Sequence, residues 1–351
     1  MGKIKLGVIF GGTSTEHDVS IVSGTSVISN LNKEKYEIYP IYIDKNGTWH
    51  EFIDNNKKYS VGEPIEGINK IENIYEYLKN IDVVFPVLHG LGGEDGSIQG
   101  MLEILKIPYV GTKILGSSIC MDKAYAKIIF EKAKILQAKY IYIKKHGENY
   151  IYVNEDFTEK IYSLSEIAQK ISEKIEFPMF IKPSNSGSSV GINKAKNIEE
   201  LKDFIEYASK YDKKILIEEN ITGREIECAI LGNEEVYASV LGEIMSAENF
   251  YSFDAKYKNK ESKTIIPAKI PEKLANKIKE TAKKAYKAAD CKGLSRVDFF
   301  VDEKSEKIYI NEINTMPGFT EISMYPKLWK ETGINYKELL DKIIELAIKE
   351  R

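Results

Sequence analysis

The chain has 351 residues, with 50 basic and 53 acidic side chains and a formal net charge of -3 at pH 7. That length allows two or three domains with sizeable cores, and the balanced charge gives no basic field that would recruit nucleic acid or an anionic membrane. Neither a signal peptide nor an apolar run of about 18 residues is present, and the three scattered cysteines suggest no disulfide framework or zinc site, so we expect a cytoplasmic protein.

The first 115 or so residues alternate short apolar strands with helical stretches. Strands are predicted at residues 4–10, 37–43 and 83–87, with a helix from about Glu16. This alternation is typical of a parallel α/β sheet, in which the strands end at a common edge.

A glycine-containing loop at residues 11–18 follows the first strand and begins the first helix. Its backbone N–H groups and the positive end of the helix could bind an anion. The spacing is not that of a G-x-G-x-x-G dinucleotide fingerprint, which disfavours a nicotinamide-dependent oxidoreductase. Glu16 instead suits the binding of a small ligand that has an ammonium or carboxylate group. The alternative is that Glu16 is the partner residue of a capping box at the start of the helix.

A second glycine-rich loop, residues 89–96, follows the strand at 83–87 and begins with His89. Its four glycines allow the backbone to close around a small ligand, and open α/β sheets bind ligands at such carboxyl ends. The alternative for His89 is a loop histidine that only hydrogen-bonds the backbone.

The middle of the chain has a Lys- and Ala-rich helix from about residue 117, a β-rich stretch at 140–153 and a second amphipathic helix that ends near residue 173. A strand then ends at Lys182 and is followed by a Ser/Gly loop whose N–H and hydroxyl donors could cover phosphates. The loop lacks the Gly-Lys-Ser/Thr ending of a Walker P-loop. A plain Ser/Gly hairpin is the alternative.

Strands dominate the rest of the chain, interrupted by predicted helices at 198–210, 271–289 and 336–349. One strand ends in Glu218 and Glu219. A carboxylate and backbone N–H and C=O groups at this position could form hydrogen bonds with an adenine amine and ribose hydroxyls. The polar and aromatic insert at 246–263 has the composition of a mobile loop.

Two carboxylates and a carboxamide lie on neighbouring predicted strands near the C-terminal end. In a hairpin folded at the charged turn 302–307, Asp298 falls opposite Asn311 or Glu312, and side chains two apart share a face. Asp298, Glu312 and Asn314 therefore form an oxygen-only set that suits Mg²⁺, with Arg296 beside the first carboxylate. The alternative is an ordinary solvated strand face.

Seven segments occur in the order found in the ATP-grasp superfamily, and the chain resembles most closely its D-alanine–D-alanine ligase family. The resemblance spans nearly the full chain and implies an α/β, or overall α+β, ATP-grasp fold, in which a parallel α/β N-terminal domain precedes two β-rich domains that sandwich ATP. The expected boundaries are 1–115, 116–213 and 214–351. The segments are residues 11–16, 89–90, 121–123, 182–191, 254–257, 296–298 and 312–318.

The resemblance also implies roles for individual residues. It puts Lys123 and Lys182 at the ATP phosphates, Glu218 and the Glu219 backbone at adenine and Glu225 at ribose, with Ser189 and Ile221 also binding the nucleotide. Two Mg²⁺ or Mn²⁺ ions would lie on Asp298, Glu312 and Asn314. Glu16, Ser188 and Tyr257 would hold the first substrate, with His89 near its carboxylate, and Ser323 and Met324 would hold the second. Lys256 would reach the γ-phosphate from the insert, and Arg296 with Gly318 would form an oxyanion site.

The function that the resemblance implies is the ATP-dependent ligation of two D-alanine molecules through a D-alanyl phosphate, for peptidoglycan precursors. A D-alanine–D-serine or D-alanine–D-lactate ligase is the alternative, and a nicotinamide-dependent oxidoreductase or a non-catalytic nucleotide-binding module comes further behind. The resemblance also implies D-alanine and ATP as small-molecule partners and a homodimer, with no nucleic acid or membrane partner.

Overall fold

A computed structural model of the chain describes residues 2–53, 57–245, 263–320 and 322–350. Within these residues the strands form three sheets of five, six and five strands. Lys256, Tyr257 and all of the predicted insert except Lys263 lie outside the described residues. No helix in the described part of the chain is both long and apolar enough to cross a bilayer.

The first sheet has the strand order β4-β3-β2-β1-β5. The predicted parallel pairing is confirmed for β1 with β2 and for β1 with β5, whereas β3 and β4 add an antiparallel edge that the sequence analysis did not predict. The strands are β1 Ile4–Gly11, β2 Tyr36–Ile43, β3 Trp49–Phe52, β4 Ile68–Lys70 and β5 Val83–Pro86, and the helices are α1 His17–Asn30, α2 Ile74–Leu78 and α3 Ser97–Ile104.

Two glycines fix the path from β1 into α1. Gly11 has φ +91°, and a Cβ there would lie 2.2 Å from the Ile43 carbonyl oxygen. A Cβ at Gly24 would lie 2.4 Å from Cβ of Phe10, so only glycine lets α1 pack this closely on β1. The close packing holds the start of α1, and with it Glu16, at the carboxyl edge of the sheet.

The second sheet is antiparallel and has the order β10-β9-β11-β6-β7-β8. Helices α6 and α7 bury their apolar faces on one side of it, and α5 packs on the other. The elements are β6 Tyr140–His146, β7 Asn149–Val153, β8 Glu159–Tyr162, β9 Met179–Pro183, β10 Asn193–Ala195 and β11 Lys214–Glu219, with α4 Ile114–Met121, α5 Lys123–Lys132, α6 Leu164–Ser172 and α7 Ile198–Ala208.

The third sheet is also antiparallel, with the order β14-β13-β12-β15-β16. Helix α8 covers one face, and α9 packs against β12 and β13. Helix α9 was not predicted; it is short and has Pro326 in its first turn, where proline is tolerated. The elements are β12 Arg224–Leu231, β13 Tyr237–Met245, β14 Lys263–Ile265, β15 Leu294–Asp302 and β16 Lys307–Asn314, with α8 Glu272–Ala288, α9 Met324–Glu331 and α10 Tyr336–Lys349.

The C-terminal helices join the first and third sheets into one core. Phe85 of β5 packs edge-on against Phe319, and α10 packs against α1 and β5. The division of the chain into three domains stays a prediction. The pairing of β11 with β6 and β9 argues for a second boundary after Glu219, because a boundary after Lys213 would remove a central strand from its sheet.

Candidate functional site

A cavity of about 990 Å³ opens where the three sheets meet. Every site residue predicted above that lies within the described residues contributes to its wall. They are Glu16, His89, Lys123, Lys182, Ser188, Ser189, Glu218, Glu219, Ile221, Glu225, Arg296, Asp298, Glu312, Asn314, Gly318, Ser323 and Met324.

The Glu16 carboxylate lies between two glycine-containing loops. Ser188 donates a hydrogen bond to its Oε1, and a Cβ at Gly90 or Gly187 would lie 2.7 or 2.1 Å from Oε2. Glu16 precedes α1 without capping it through its side chain, so the capping-box alternative is wrong. The carboxylate is 8% exposed and remains available to a cation at the cavity.

His89 connects the first sheet to the loop that follows β16. Its Nδ1 lies 3.0 Å from the Met316 carbonyl oxygen and its Nε2 lies 2.9 Å from the Ser23 hydroxyl, which also accepts a hydrogen bond from the Phe319 N–H. Burial lowers the pKa of His89, so the neutral ring donates from Nδ1 and accepts at Nε2. In this structure His89 thus fixes the loop that contains Gly318.

One end of the cavity is rich in cations and hydroxyl groups. Lys123, the first residue of α5, donates to the Ser186 carbonyl oxygen at 2.7 Å, and its Nζ lies 3.6 Å from a Glu312 oxygen. The loop 184–191 after β9 turns through Ser188 and Ser189, whose φ values are +48° and +60°. Such left-handed serines are uncommon, and both line the cavity.

Elsewhere in the cavity wall, the Glu218 carboxylate is buried between two lysines. It forms ion pairs with Lys127 and Lys182. Burial alone would raise the pKa of Glu218, but the two lysines outweigh it and lower that pKa to about 2. Glu218 is therefore an ionised acceptor at neutral pH.

The neighbouring acids are arranged differently. The Glu219 carboxylate accepts a hydrogen bond from the Lys139 N–H at 2.7 Å, and the Glu219 N–H donates to the Lys139 carbonyl oxygen at 3.0 Å. Glu225 lies on β12 opposite Ile244, and Ile221 lies in the turn between β11 and β12.

The hairpin of β15 and β16 brings the predicted metal ligands together. Asp298 pairs with Glu312 and Arg296 pairs with Asn314, which settles the predicted register in favour of Glu312. The Arg296 guanidinium donates to both Asp298 oxygens at 2.7 Å, and Asn314 donates to Asp298 at 3.0 Å. The solvated-face alternative is wrong for Asp298, which is 4% exposed.

The donor set fits a hard divalent cation. Two carboxylates and one carboxamide oxygen provide only oxygen ligands, as Mg²⁺ prefers. Among the described residues no group of three or more His, Cys, Asp or Glu side chains converges on one point, so this hairpin set would need phosphate or water oxygens to complete the coordination.

The loop after β16 leads to the N-terminus of α9. A Cβ at Gly318 would lie 2.9 Å from the Ser323 hydroxyl, and that hydroxyl accepts a hydrogen bond from the Thr320 N–H at 3.0 Å. The Met324 side chain is buried against Gly242. Met324 also lines the cavity and is the first residue of α9, at the positive end of that helix.

Several charged residues at or beside the cavity were not predicted, and three of them contact predicted site residues or the loops that contain them. Lys127 forms an ion pair with Glu218, and a Glu227 carboxylate oxygen lies 3.1 Å from the Arg296 Nε. Glu94 accepts hydrogen bonds from the backbone N–H groups of Gly90 and Met316. Burial and the nearby Glu16 raise the pKa of Glu94 to about 8. Alternation on β12 places Glu227 two residues after Glu225 and so on the same face, a signal that was available in the sequence.

Two family models together match most of the chain. Residues 5–112 match the family model "D-ala D-ala ligase N-terminus", and residues 129–345 match "D-ala D-ala ligase C-terminus". The D-alanine–D-alanine ligase of Acetivibrio thermocellus is 48% identical over 371 aligned residues, which cover 97% of this chain and 95% of the relative.

Solved structures extend the similarity to the fold. The VanG D-Ala:D-Ser ligase of Enterococcus faecalis is 36% identical, with a TM-score of 0.84 over 99% of this chain and 100% of that one. The D-alanine–D-alanine ligase of Bacillus anthracis complexed with ATP is 31% identical, with a TM-score of 0.75 over 99% and 98%. The expected ATP-grasp fold is thereby confirmed. With both family models matched and a relative 48% identical over nearly its whole length, the chain belongs to the D-alanine–D-alanine ligase family.

Proposed function

We propose that this protein is an ATP-dependent ligase that joins two D-alanine molecules into D-alanyl-D-alanine, a precursor of peptidoglycan. The observation that carries the proposal is the convergence of four features in one cavity. They are a lysine-rich end, a set of two carboxylates and a carboxamide for a metal, the buried Arg296, and the separate Glu16 carboxylate, which can hold an ammonium group. Membership of the D-alanine–D-alanine ligase family supports the same reaction.

The reaction needs activation because a carboxylate at neutral pH is a poor electrophile. A carboxylate oxygen of the first D-alanine attacks the γ-phosphorus of ATP, the bond to ADP breaks, and a D-alanyl phosphate forms. The residues proposed to neutralise the phosphate charge are Lys123 and Lys182, together with Lys256 from outside the described residues.

Asp298, Glu312 and Asn314 are the residues that would hold Mg²⁺. The bound ion would neutralise phosphate charge and align the reacting oxygens. Arg296 and Asn314 already donate to Asp298, so the first carboxylate is oriented before any ligand binds.

The second step forms the peptide bond. The neutral amine of the second D-alanine attacks the acyl carbon and a tetrahedral oxyanion develops. The bond to phosphate then breaks, and phosphate leaves with one of the original carboxylate oxygens and the proton that the amine loses. Arg296 and the Gly318 N–H are proposed to stabilise that oxyanion. Preorganised donors of this kind commonly contribute about 3 to 4 kcal/mol to lowering a barrier.

The two amino acids are proposed to bind at opposite sides of this centre. Glu16, supported by Ser188, would hold the ammonium group of the first D-alanine, and His89 would lie near its carboxylate. The N-terminus of α9, with Ser323 and Met324, would accept the carboxylate of the second, because helix N-termini favour anions. D-Serine as second substrate is the competing proposal, since one of the similar solved structures is a D-Ala:D-Ser ligase.

Phosphate release by the purified protein tests this function. With ATP and Mg²⁺, D-alanine alone should give phosphate and D-alanyl-D-alanine in equal amounts, whereas L-alanine should give neither. Mixtures of D-alanine with D-serine or D-lactate should yield mainly the D-alanine dipeptide by mass spectrometry. Absence of phosphate release with D-alanine would refute the proposal.

We also propose a cytoplasmic homodimer. Free, buried thiols at all three cysteines suit a reducing compartment, and ATP is the proposed substrate. On α3 and α4, Ile104 is 82% exposed and Leu115 is 59% exposed, an apolar surface that a second copy could cover. Sedimentation equilibrium would measure the mass, and a monomer at micromolar concentration would contradict the dimer.

A further inference from the structure

The ion pair between Lys127 and Glu218 lies outside the steps described so far. Lys127 is 2% exposed and Glu218 is 4% exposed, and the Lys127 Nζ also lies 5.5 Å from the centre of the Tyr140 ring. A buried lysine is costly unless it is paired, and replacing such a pair by apolar side chains is often neutral or stabilising. Stability alone is therefore a weak reason for this pair.

Lys127 does not line the cavity. It comes four residues after Lys123 on α5, so the two lysines lie on one face of the helix, about 6 Å apart along its axis. Lys123 lines the cavity near Glu312, whereas Lys127 does not line it and forms an ion pair with Glu218, which does. We therefore expect Lys127 to act on a ligand through Glu218.

The second partner of Glu218 has another proposed task. Lys182 lies diagonally from Glu218 on the same face of the second sheet and lines the cavity. Its proposed ligand is an ATP phosphate, which would draw its ammonium group away from Glu218. Lys127 would then be the cation that stays with the carboxylate.

We propose that Lys127 is a positioning residue that selects adenine nucleotides, by holding Glu218 as an ionised hydrogen-bond acceptor for the exocyclic amine of the base. The inference rests on the proposed use of ATP. Adenine presents an N–H donor at this edge, whereas guanine presents a carbonyl oxygen. An ionised carboxylate accepts from the first and repels the second, whereas a protonated carboxyl group could donate to guanine.

The test compares Lys127→Met with Lys132→Met, which removes an exposed lysine from the same helix. The values of kcat and KM are measured for ATP, GTP and D-alanine. In Lys127→Met, KM for ATP should rise about tenfold or more and the ATP-to-GTP ratio of kcat/KM should fall about tenfold or more, as expected for loss of one charge-assisted hydrogen bond. KM for D-alanine should not change, and Lys132→Met should match the wild type.

A purely structural role would lower activity with both nucleotides alike and leave the ATP-to-GTP ratio unchanged, which would overturn the inference. Lys127→Arg, which keeps the charge, should retain most of the wild-type ratio. If the wild type itself does not ligate D-alanine with ATP, the proposed function fails, and that outcome is distinct from an unchanged ratio in active variants.

A second comparison covers the case in which Lys127→Met does not fold. Glu218→Gln should lower the ATP-to-GTP ratio, and Lys127→Met added to Glu218→Gln leaves no lone charge in the pair. Because Lys127 acts through Glu218, the double variant should have the same ratio as Glu218→Gln. A further fall in the double variant, or an unchanged ratio in Glu218→Gln, would overturn the inference.

Discussion

The Arg296 guanidinium is fixed by neighbouring carboxylates independently of any substrate. Burial disfavours its charge, but Asp298 and Glu227 outweigh that effect and raise its pKa well above the ordinary value. The side chain therefore stays charged at every pH at which the protein is folded. A donor that is already oriented needs little reorganisation when negative charge develops beside it.

Replacing Arg296 by alanine tests that role. We expect kcat to fall about 100-fold or more, because one preorganised oxyanion donor is lost. Lys307→Ala, at the far end of the same hairpin, should leave kcat unchanged. Turnover is followed by phosphate release, and circular dichroism checks the fold. A loss of less than about tenfold in a folded variant would remove Arg296 from the oxyanion site.

Asp298→Asn tests the metal set with almost no change in side-chain size. The variant loses one negative charge between Arg296 and Glu312, so we expect turnover that depends on Mg²⁺ to be lost while the secondary structure remains. Activity is titrated against Mg²⁺ and Mn²⁺. Wild-type activity and an unchanged metal requirement would refute the assignment of Asp298 as a ligand.

Glu218 should make the protein sensitive to acid. Its folded pKa of about 2 lies below its ordinary value of 4.5, so its contribution to stability is present above pH 4.5 and is lost as the pH falls toward 2. By pH 3 the loss amounts to roughly 2 kcal/mol.

Urea unfolding at pH 6 and pH 3 measures this contribution. The drop in the free energy of unfolding should be smaller in Glu218→Gln than in the wild type, while Glu199→Gln, which changes an exposed acid, should behave as the wild type does. An equal drop in all three proteins would contradict the assigned pKa.

At the scale of elements, the close packing of α1 on β1 depends on Gly24, which has no side chain. Gly24→Ala forces a Cβ into contact with Phe10, so we expect a loss of about 1 to 3 kcal/mol in the free energy of unfolding. Gly100→Ala in α3 is the matched control. Its Cβ would meet only Ile114 at 4.0 Å, so the higher helix propensity of alanine should stabilise by about 0.5 to 1 kcal/mol.

Denaturant midpoints distinguish these outcomes. If Gly24→Ala stabilised the protein, as we expect for Gly100→Ala, that result would contradict the close packing of α1 on β1. Because α1 begins immediately after Glu16, a shift of this helix should also weaken binding of D-alanine, seen as a higher KM.

Elements with a clear apolar period could be predicted from the sequence, and those set by tertiary contacts could not. The buried runs of β1 and β5 and the amphipathic α10 were found within a residue or two. The edge strand β4 is exposed along its whole length and has no apolar signal, and α9 contains a proline. Their positions depend on packing against neighbours, which local sequence does not report.

The same distinction holds within the site. Asp298 and Glu312 could be paired from strand alternation, because both lie on one predicted hairpin. Lys127 and Glu94 meet partners 91 and 222 residues away in the chain, Glu218 and Met316, and no local pattern links them. Such residues are found only when the fold brings distant segments together.

At the scale of the whole molecule, each sheet supplies one part of the cavity. The first provides Glu16 and His89, the second provides Lys182 and Glu218, and the third provides the hairpin with Asp298. A reaction that needs an amino acid, a nucleotide and a metal at one point therefore requires all three sheets to be folded together. The loop after β16 connects the first and third of these parts through its hydrogen bonds to Ser23, His89 and Glu94.

The most direct test of the proposed ligation follows the oxygen atoms of the substrate. D-Alanine labelled with ¹⁸O in both carboxylate positions is incubated with the enzyme, ATP and Mg²⁺, and the released phosphate and the dipeptide are analysed by mass spectrometry. Ligation through a D-alanyl phosphate predicts one ¹⁸O atom in each phosphate released with D-alanyl-D-alanine. Formation of the dipeptide with unlabelled phosphate would contradict it.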